Sequence, residues 1–167
     1  MASFNNLSES KNIRFQNQID ANLKMIFTDV DAFSKIIYNL LGNAFKFSSV
    51  GDTVFFEATL INKNNLQLKI TDTGRGISEE ELPYIFNQYF HSKVGFEASS
   101  GIGLALVNEL LQSLGGTIEV TSKKNVGSCF TVTLPITLEL LKERKVNFVV
   151  IDSSKKKTEE QLYDIEV

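Results

Sequence analysis

Leu66-Gln67-Leu68-Lys69-Ile70-Thr71-Asp72-Thr73-Gly74-Arg75-Gly76-Ile77 is the stretch on which the fold turns. Leu66, Leu68 and Ile70 alternate with Gln67, Lys69 and Thr71, so this run reads as a strand with one dry face and one wet face. The alternation ends in Asp72 and then in a glycine-bearing loop, where glycine permits positive φ and close backbone approach to a ligand. Taken alone, an Asp followed by Gly-x-Gly also fits a simple turn.

Upstream, Thr53 to Leu60 is a second strand-like run, joined to the first by Asn62-Lys63-Asn64-Asn65, a turn composition. Before it, Phe33, Ile36, Ile37, Leu40, Leu41 and Ala44 recur at three- and four-residue steps. That spacing predicts a helix from about Asp29 to Phe47 with one wide apolar face. Thr28 and Asp31 form a plausible capping box, with Thr28 as N-cap. Met25-Ile26-Phe27 is a short apolar run, and Ile13 and Phe15 alternate with polar residues as in a short strand. Residues 1–10 are polar and read as a disordered or expression-derived start.

Downstream, Ser78 and Glu81 predict a capped short helix with Pro83 near its first turn. Phe86, Tyr89 and Phe90 add an aromatic cluster, and residues 91–100 have no periodicity and read as a mobile loop. Gly101-Ile102-Gly103 opens a helix whose apolar side carries Leu104, Val107, Leu110, Leu111 and Leu114, and Gly115-Gly116 ends it. Two strands follow, Thr117 to Thr121 and Ser128 to Leu134. Hairpins separated by blocks of helix predict an α+β fold: a two-layer sandwich in which a mixed, largely antiparallel sheet carries helices on one face.

The chain has 167 residues, enough to bury a full core without disulfides or structural metal. Its lone cysteine, Cys129, cannot pair internally or build a zinc site, which fits a reducing, cytoplasmic setting. A net charge of −3 with dispersed basic residues argues against a nucleic-acid partner. No apolar run approaches the ~20 residues that span a bilayer, and the polar start is unlike a signal peptide. The triplet Lys155-Lys156-Lys157 reads as a solvated tail.

Three elements carry candidate chemistry. Asn39, Asn43 and Lys46 fall within about 60° of one another on the first long helix, beside its apolar face. A carboxamide oxygen can ligate Mg²⁺ and an ammonium can meet phosphate, although a solvated polar stripe has the same spacing. Asp72, an acceptor-only carboxylate at a strand end, can bind an exocyclic amino group such as that of adenine. Ser99-Ser100-Gly101-Ile102-Gly103-Leu104 places glycines at a helix start, where backbone N–H groups and the helix dipole favour phosphate. It lacks the Gly-Lys-Ser/Thr ending of a P-loop.

Together these elements resemble the N, G1 and G2 boxes of the ATP-binding superfamily that contains DNA gyrase, MutL, the ninety-kilodalton heat-shock chaperone and histidine kinases. Asn39-Leu40-Leu41-Gly42-Asn43-Ala44-Phe45-Lys46-Phe47 resembles the N box of sensor kinases, and Ile85-Phe86-Asn87-Gln88-Tyr89-Phe90-His91-Ser92-Lys93 their F box. Gly115-Gly116-Thr117-Ile118 and residues 127–135 resemble the closing strands. The resemblance covers roughly Lys11 to Pro135 and implies a Bergerat-type ATP-binding domain over 11–135. It implies that Asn43 ligates Mg²⁺, with Asn39 and Lys46 beside the ATP phosphates. Asp72 is then the acceptor for adenine N6, Gly74 and Gly76 let the loop wrap the base, and Phe47 and Ile77 line the pocket. Residues 91–100 form a lid from which Lys93 reaches the phosphates, and Gly101, Gly103 and Leu104 present backbone N–H groups.

In the gyrase and MutL branches a Glu that activates water stands where this chain has Asn39. A carboxamide cannot accept a proton near neutral pH, so it cannot serve as that base. The resemblance therefore implies a protein histidine kinase catalytic domain, monomeric in isolation. It acts on a separate phosphoacceptor and dimerisation domain and, indirectly, on a response regulator, with no direct membrane contact in this segment. Two other readings stand beside it: a degenerate nucleotide-binding module without transfer activity, and a gyrase- or MutL-like ATPase. Ser99 departs from the family's usual glycine. The only histidine, His91, lies in the expected lid and is not assigned as the phosphorylated residue. Residues 136–167 read as an extension or linker, with a short helix at Leu138 to Lys145. A strand at Val146 to Asp152 resembles the opening of a receiver domain, without its usual acidic pair.

Overall fold

The computed structural model describes residues 2–23, 26, 28–90 and 101–136. The expected lid, with His91, Lys93 and Ser99, lies outside these residues, as do the expected helix and strand after position 136. Within the described residues, eight helices and strands run in the order α1 (Ala2–Lys11), β1 (Arg14–Ile19), α2 (Val30–Lys46), β2 (Thr53–Asn62), β3 (Asn65–Asp72), α3 (Gly103–Leu114), β4 (Thr117–Lys123) and β5 (Gly127–Pro135). The sheet order is β1-β2-β3-β5-β4. Of its four pairings, that of β1 with β2 is parallel, and α2 is part of the crossover that parallel pairing requires. The others are antiparallel, as the hairpin pattern predicts.

The core lies between the helices and one face of this sheet. Ile36, Leu40, Leu41, Ala44 and Phe45 of α2 pack with Val54, Phe56 and Ala58 of β2 and with Leu66, Leu68 and Ile70 of β3. Phe130, Val132 and Leu134 of β5 and Val107 and Leu111 of α3 complete it. The three-four spacing of α2 and the alternation of β2, β3 and β5 thus meet across a single layer, giving the expected α+β sandwich. Gly115 ends α3 with φ 73°, the left-handed conformation that lets its N–H return to the last turn.

Three expectations need correction. The N-cap of α2 is Asp29, whose carboxylate accepts the Ala32 N–H at 2.9 Å, while Thr28 is buried beside it. Both are good caps, and the shorter reach to the third helical N–H decides for Asp29. The segment after Ser78 is not an α-helix. The Ser78 hydroxyl does contact Glu81, at 3.0 Å, but the chain then makes a single 3-10 turn, Leu82–Tyr84. Its few apolar residues do not repeat over enough turns to hold a longer helix against the sheet.

The third correction concerns the start of the chain. Residues 2–11 form α1, docked through Phe4, whose ring stacks on Phe45 at 5.8 Å and meets Tyr38 at 5.4 Å and Phe15 at 6.4 Å. Lys11 adds a hydrogen bond from Nζ to the Phe45 carbonyl at 3.2 Å. Phe4→Ala is therefore expected to lower stability by about 2–4 kcal/mol, with fraying of a terminal helix holding it at the lower part of the range for core Phe truncation. Urea denaturation measures this; a change within about 0.5 kcal/mol, typical of an uncommitted surface site, means that α1 is not docked.

Candidate functional site

α2 presents Asn39, Asn43 and Lys46, all half-buried, along the edge of its apolar face. Asn39 is fixed: its Nδ2 donates to the Lys35 carbonyl at 2.7 Å, one turn back. Its Oδ1 then faces the start of α3, where a Cβ built on Gly103 would lie only 2.7 Å away. α3 begins against Asn39 because residue 103 has no side chain. No side chain caps α3 at Ile102, so its first N–H groups are not taken up by a cap.

The other glycine element meets the C-terminal end of α2. The helix closes at Phe47, whose N–H donates to the Asn43 carbonyl at 3.0 Å. The Phe47 carbonyl in turn accepts the Arg75 N–H at 3.1 Å, and a Cβ on Gly74 would overlap that carbonyl. The Arg75 guanidinium lies 4.3 Å from the centre of the Phe47 ring, a cation–π distance. Gly76, at φ 63°, packs against the Lys123 carbonyl, and Ile77 N–H donates to Ser122 Oγ at 2.8 Å. The loop is thus seated between the end of α2 and the β4–β5 hairpin.

Asp72 sits at the base of this loop. It continues the buried face of β3 by one more step after Ile70, which leaves it only 5% exposed. Desolvation pushes its carboxyl up to about 6 from an ordinary 3.8, and the nearby Asp52 charge adds to the rise. Hydrogen bonds from Gly74 N–H, at 3.0 Å, and from Ser128 oppose it. Asp72 connects to Asn43 through contiguous groups: its loop rests on Phe47, and Phe47 caps the turn that Asn43 begins.

Comparison with known proteins fits this geometry. Residues 28–138 match the family described as histidine kinase-, DNA gyrase B-, and HSP90-like ATPase. The chain belongs to this family. It is 36% identical over 135 residues to the adaptive-response sensory kinase SasA of Prochlorococcus marinus, covering 76% of the chain and 34% of that protein. It is 36% identical over 137 residues to the sensor histidine kinase GraS of Staphylococcus haemolyticus, covering 81% and 39%. Among solved structures, the mycobacterial sensor histidine kinase MprB aligns with TM-score 0.70 at 26% identity, covering 80% of this chain and 91% of that one. The chain spans little more than a third of these two curated relatives, and corresponds to the catalytic ATP-binding domain of histidine kinases.

Within that domain, the expected site residues fall into two groups on α2. Asn39 and Gly103 are together near its middle, with Leu104 packed against the core; Phe47, Gly74, Gly76 and Asp72 are together at its C-terminal end. Ile77 is half-buried against the core. Gly101, at φ 64°, abuts the backbone of Tyr89, whose N–H donates to the Gly101 carbonyl at 2.9 Å. Sequence reasoning missed Ser122, Ser128 and Arg75. The two serines were within reach, because each extends an alternation, Val120 to Ser122 and Phe130 to Ser128, by one residue on the core face. Among the described residues no helix is long and apolar enough to cross a membrane.

The glycine contacts differ in what they can yield. Gly74→Ala collides with fixed backbone and is expected to cost about 3 kcal/mol or more. Gly103→Ala collides only with the tip of Asn39: the lost hydrogen bond to Lys35, about 1 kcal/mol, is offset by about 1 kcal/mol of helix propensity. Thermal denaturation should therefore separate the two variants clearly, and equal losses would refute the distinction. A second prediction concerns Asp72. Because its folded pKa is raised, its contribution to stability is intact below about 3.8 and is lost as pH rises through about 6. Asp72→Asn should match the native chain near pH 3.5 and exceed it at pH 8 by up to about 3 kcal/mol. A stability difference that does not depend on pH would contradict the raised value.

Proposed function

We propose that this domain binds Mg²⁺-ATP and donates the γ-phosphate to a histidine on a separate phosphoacceptor and dimerisation domain, on the cytoplasmic side, in two-component signalling. The observation that carries the proposal is that the two glycine elements meet α2 at two separate places along its C-terminal half, Gly103 at Asn39 near the middle and Gly74 at the C-cap Phe47. Eight residues of helix separate these contacts by about 12 Å, a suitable spacing for a base at one end and phosphates at the other.

On this reading Asp72 accepts the adenine amino group, which needs the ionised carboxylate. Gly74 and Gly76 bring the loop against the base, with Phe47 and Ile77 beside it. At the other end the N–H groups of Gly101, Gly103 and Leu104 bind phosphate through the start of α3. Lys46, whose Nζ lies 5.6 Å from the centre of the Phe47 ring, reaches the phosphates from the base side, and Lys93 comes to them from the lid. Mg²⁺ fits as an ion held mainly by phosphates and water: the described residues contain no cluster of three or more His, Cys, Asp or Glu that could cage a metal. Mg²⁺ keeps several waters and needs only one or two protein oxygens, here the carboxamide of Asn43. It supplies charge neutralisation of the triphosphate. Asn39 offers no base, and its amide is committed to Lys35, which favours retention of ATP over its hydrolysis. Transfer then rests on positioning.

The test is calorimetric titration with Mg²⁺-ATP, a hydrolysis assay, and then addition of the phosphoacceptor domain in trans. Binding with negligible hydrolysis, followed by phosphorylation of the added histidine, is expected. Binding without transfer would indicate an interaction module, and robust hydrolysis alone an ATPase. Asp72→Ala should weaken ATP binding at least about tenfold, the scale of one lost charge-assisted hydrogen bond. Affinity of the native chain should also fall as pH drops through about 6, where Asp72 takes up its proton.

A further inference from the structure

Asp72, Ser128 and Ser122 occupy one row across three neighbouring strands. Asp72 of β3 pairs with Ser128 of β5, and Ser128 pairs with Ser122 of β4. All three lie on the core face, just beyond Ile70, Phe130 and Val120. The apolar layer thus ends in a polar row. The Ile77 N–H donates to Ser122 Oγ at 2.8 Å. The single Ser122 proton lies toward the Gly127 carbonyl at 2.8 Å and Ser128 Oγ at 3.0 Å. Ser128 is the register partner of Asp72 across β3 and β5, and its neighbourhood favours the charged form of that carboxylate.

We propose that Ser122 is a positioning residue for the base-binding carboxylate: it holds the Ser128 hydroxyl with its proton toward Asp72 and fastens the far end of the glycine loop through Ile77. A hydroxyl that accepts one hydrogen bond becomes a better donor in the next, and a half-buried row amplifies the effect. Each donor in the row favours the charged form of Asp72 and so opposes its desolvation. The charged groups on the surrounding elements are Asp52 before β2, Lys46 at the end of α2, Arg75 in the loop and Lys123 at the end of β4. Ser122→Ala alters none of them. The inference rests on the assignment of Asp72 to the base only in its consequence for nucleotide binding.

The experiment is a carbon-13 NMR titration of the Asp72 carboxyl in the full chain, with calorimetric Mg²⁺-ATP affinity measured at pH 6.5 and pH 8. Ser122→Ala should move the Asp72 midpoint upward by roughly half a pH unit or more. It should weaken ATP more at pH 6.5 than at pH 8, and Ser122→Thr, which keeps the hydroxyl, should restore both. A variant that only loosens the loop would lose affinity equally at both pH values with the midpoint unmoved, and that result overturns the proposal. Should Asp72→Ala leave ATP affinity unchanged while Ser122→Ala still moves the midpoint, the hydroxyl row stands and the base assignment fails. If neither variant folds, Ser122→Cys, with a thiol of similar size and weaker hydrogen bonding, provides the same titration.

Discussion

The seating of the Asp72–Ile77 loop on the end of α2 is the contact on which the rest depends. It has no slack: the Phe47 carbonyl accepts the Arg75 N–H and occupies the volume that a side chain at residue 74 would need. A backbone-to-backbone contact of this kind is insensitive to rotamers and fixes the loop relative to the helix. The helix is itself fixed to the sheet by Ile36, Leu40, Leu41 and Phe45, each nearly fully buried. Rigidity therefore passes from core to helix to loop without a flexible side chain between them. Near the middle of α2 the coupling is softer, because Gly103 abuts the tip of the Asn39 side chain. The two contacts are thus held by different means, one by backbone against backbone and one through a side-chain tip.

Burial of Asp72 follows from strand register. The alternation that dries Leu66, Leu68 and Ile70 puts position 72 on the same face, so a carboxylate there is desolvated by the same pleat that builds the core. A bare charge at that depth would be strongly disfavoured. The Gly74 N–H and Ser128 favour the charged form and keep ionisation accessible near neutral pH. The carboxylate still costs stability above pH 6.

Much of this was legible in the sequence because it is periodic. α2 and β3 announce themselves by steps of three-four and two, and their meeting at the motifs Asn39–Phe47 and Asp72–Ile77 gives the site its frame. The illegible parts are tertiary or lie one step past a pattern. α1 is polar along most of its length and reads as a loose start; it is held by the stacking of Phe4 on Phe45, far along the chain, which no local window contains. The choice of Asp29 over Thr28 turns on backbone geometry at the cap. Ser122 and Ser128 are ordinary strand-end residues in sequence, and their significance appears only once β4 and β5 are set beside Asp72.

An amide at position 39 behaves differently in this geometry from an acid. An acid there would have no hydrogen to donate to the Lys35 carbonyl, and at neutral pH its charge would turn away from that oxygen. It would be free to face water in the cleft, as a base must. The amide is held back against its own helix by a 2.7 Å bond, with its oxygen directed to the start of α3. A short amide at this position therefore offers no proton acceptor and also serves as a spacer between two helices. For a domain proposed to pass its phosphate to a protein side chain, both effects act in the same direction: ATP survives, and the phosphate-binding end of α3 stays in register with α2 until the acceptor arrives.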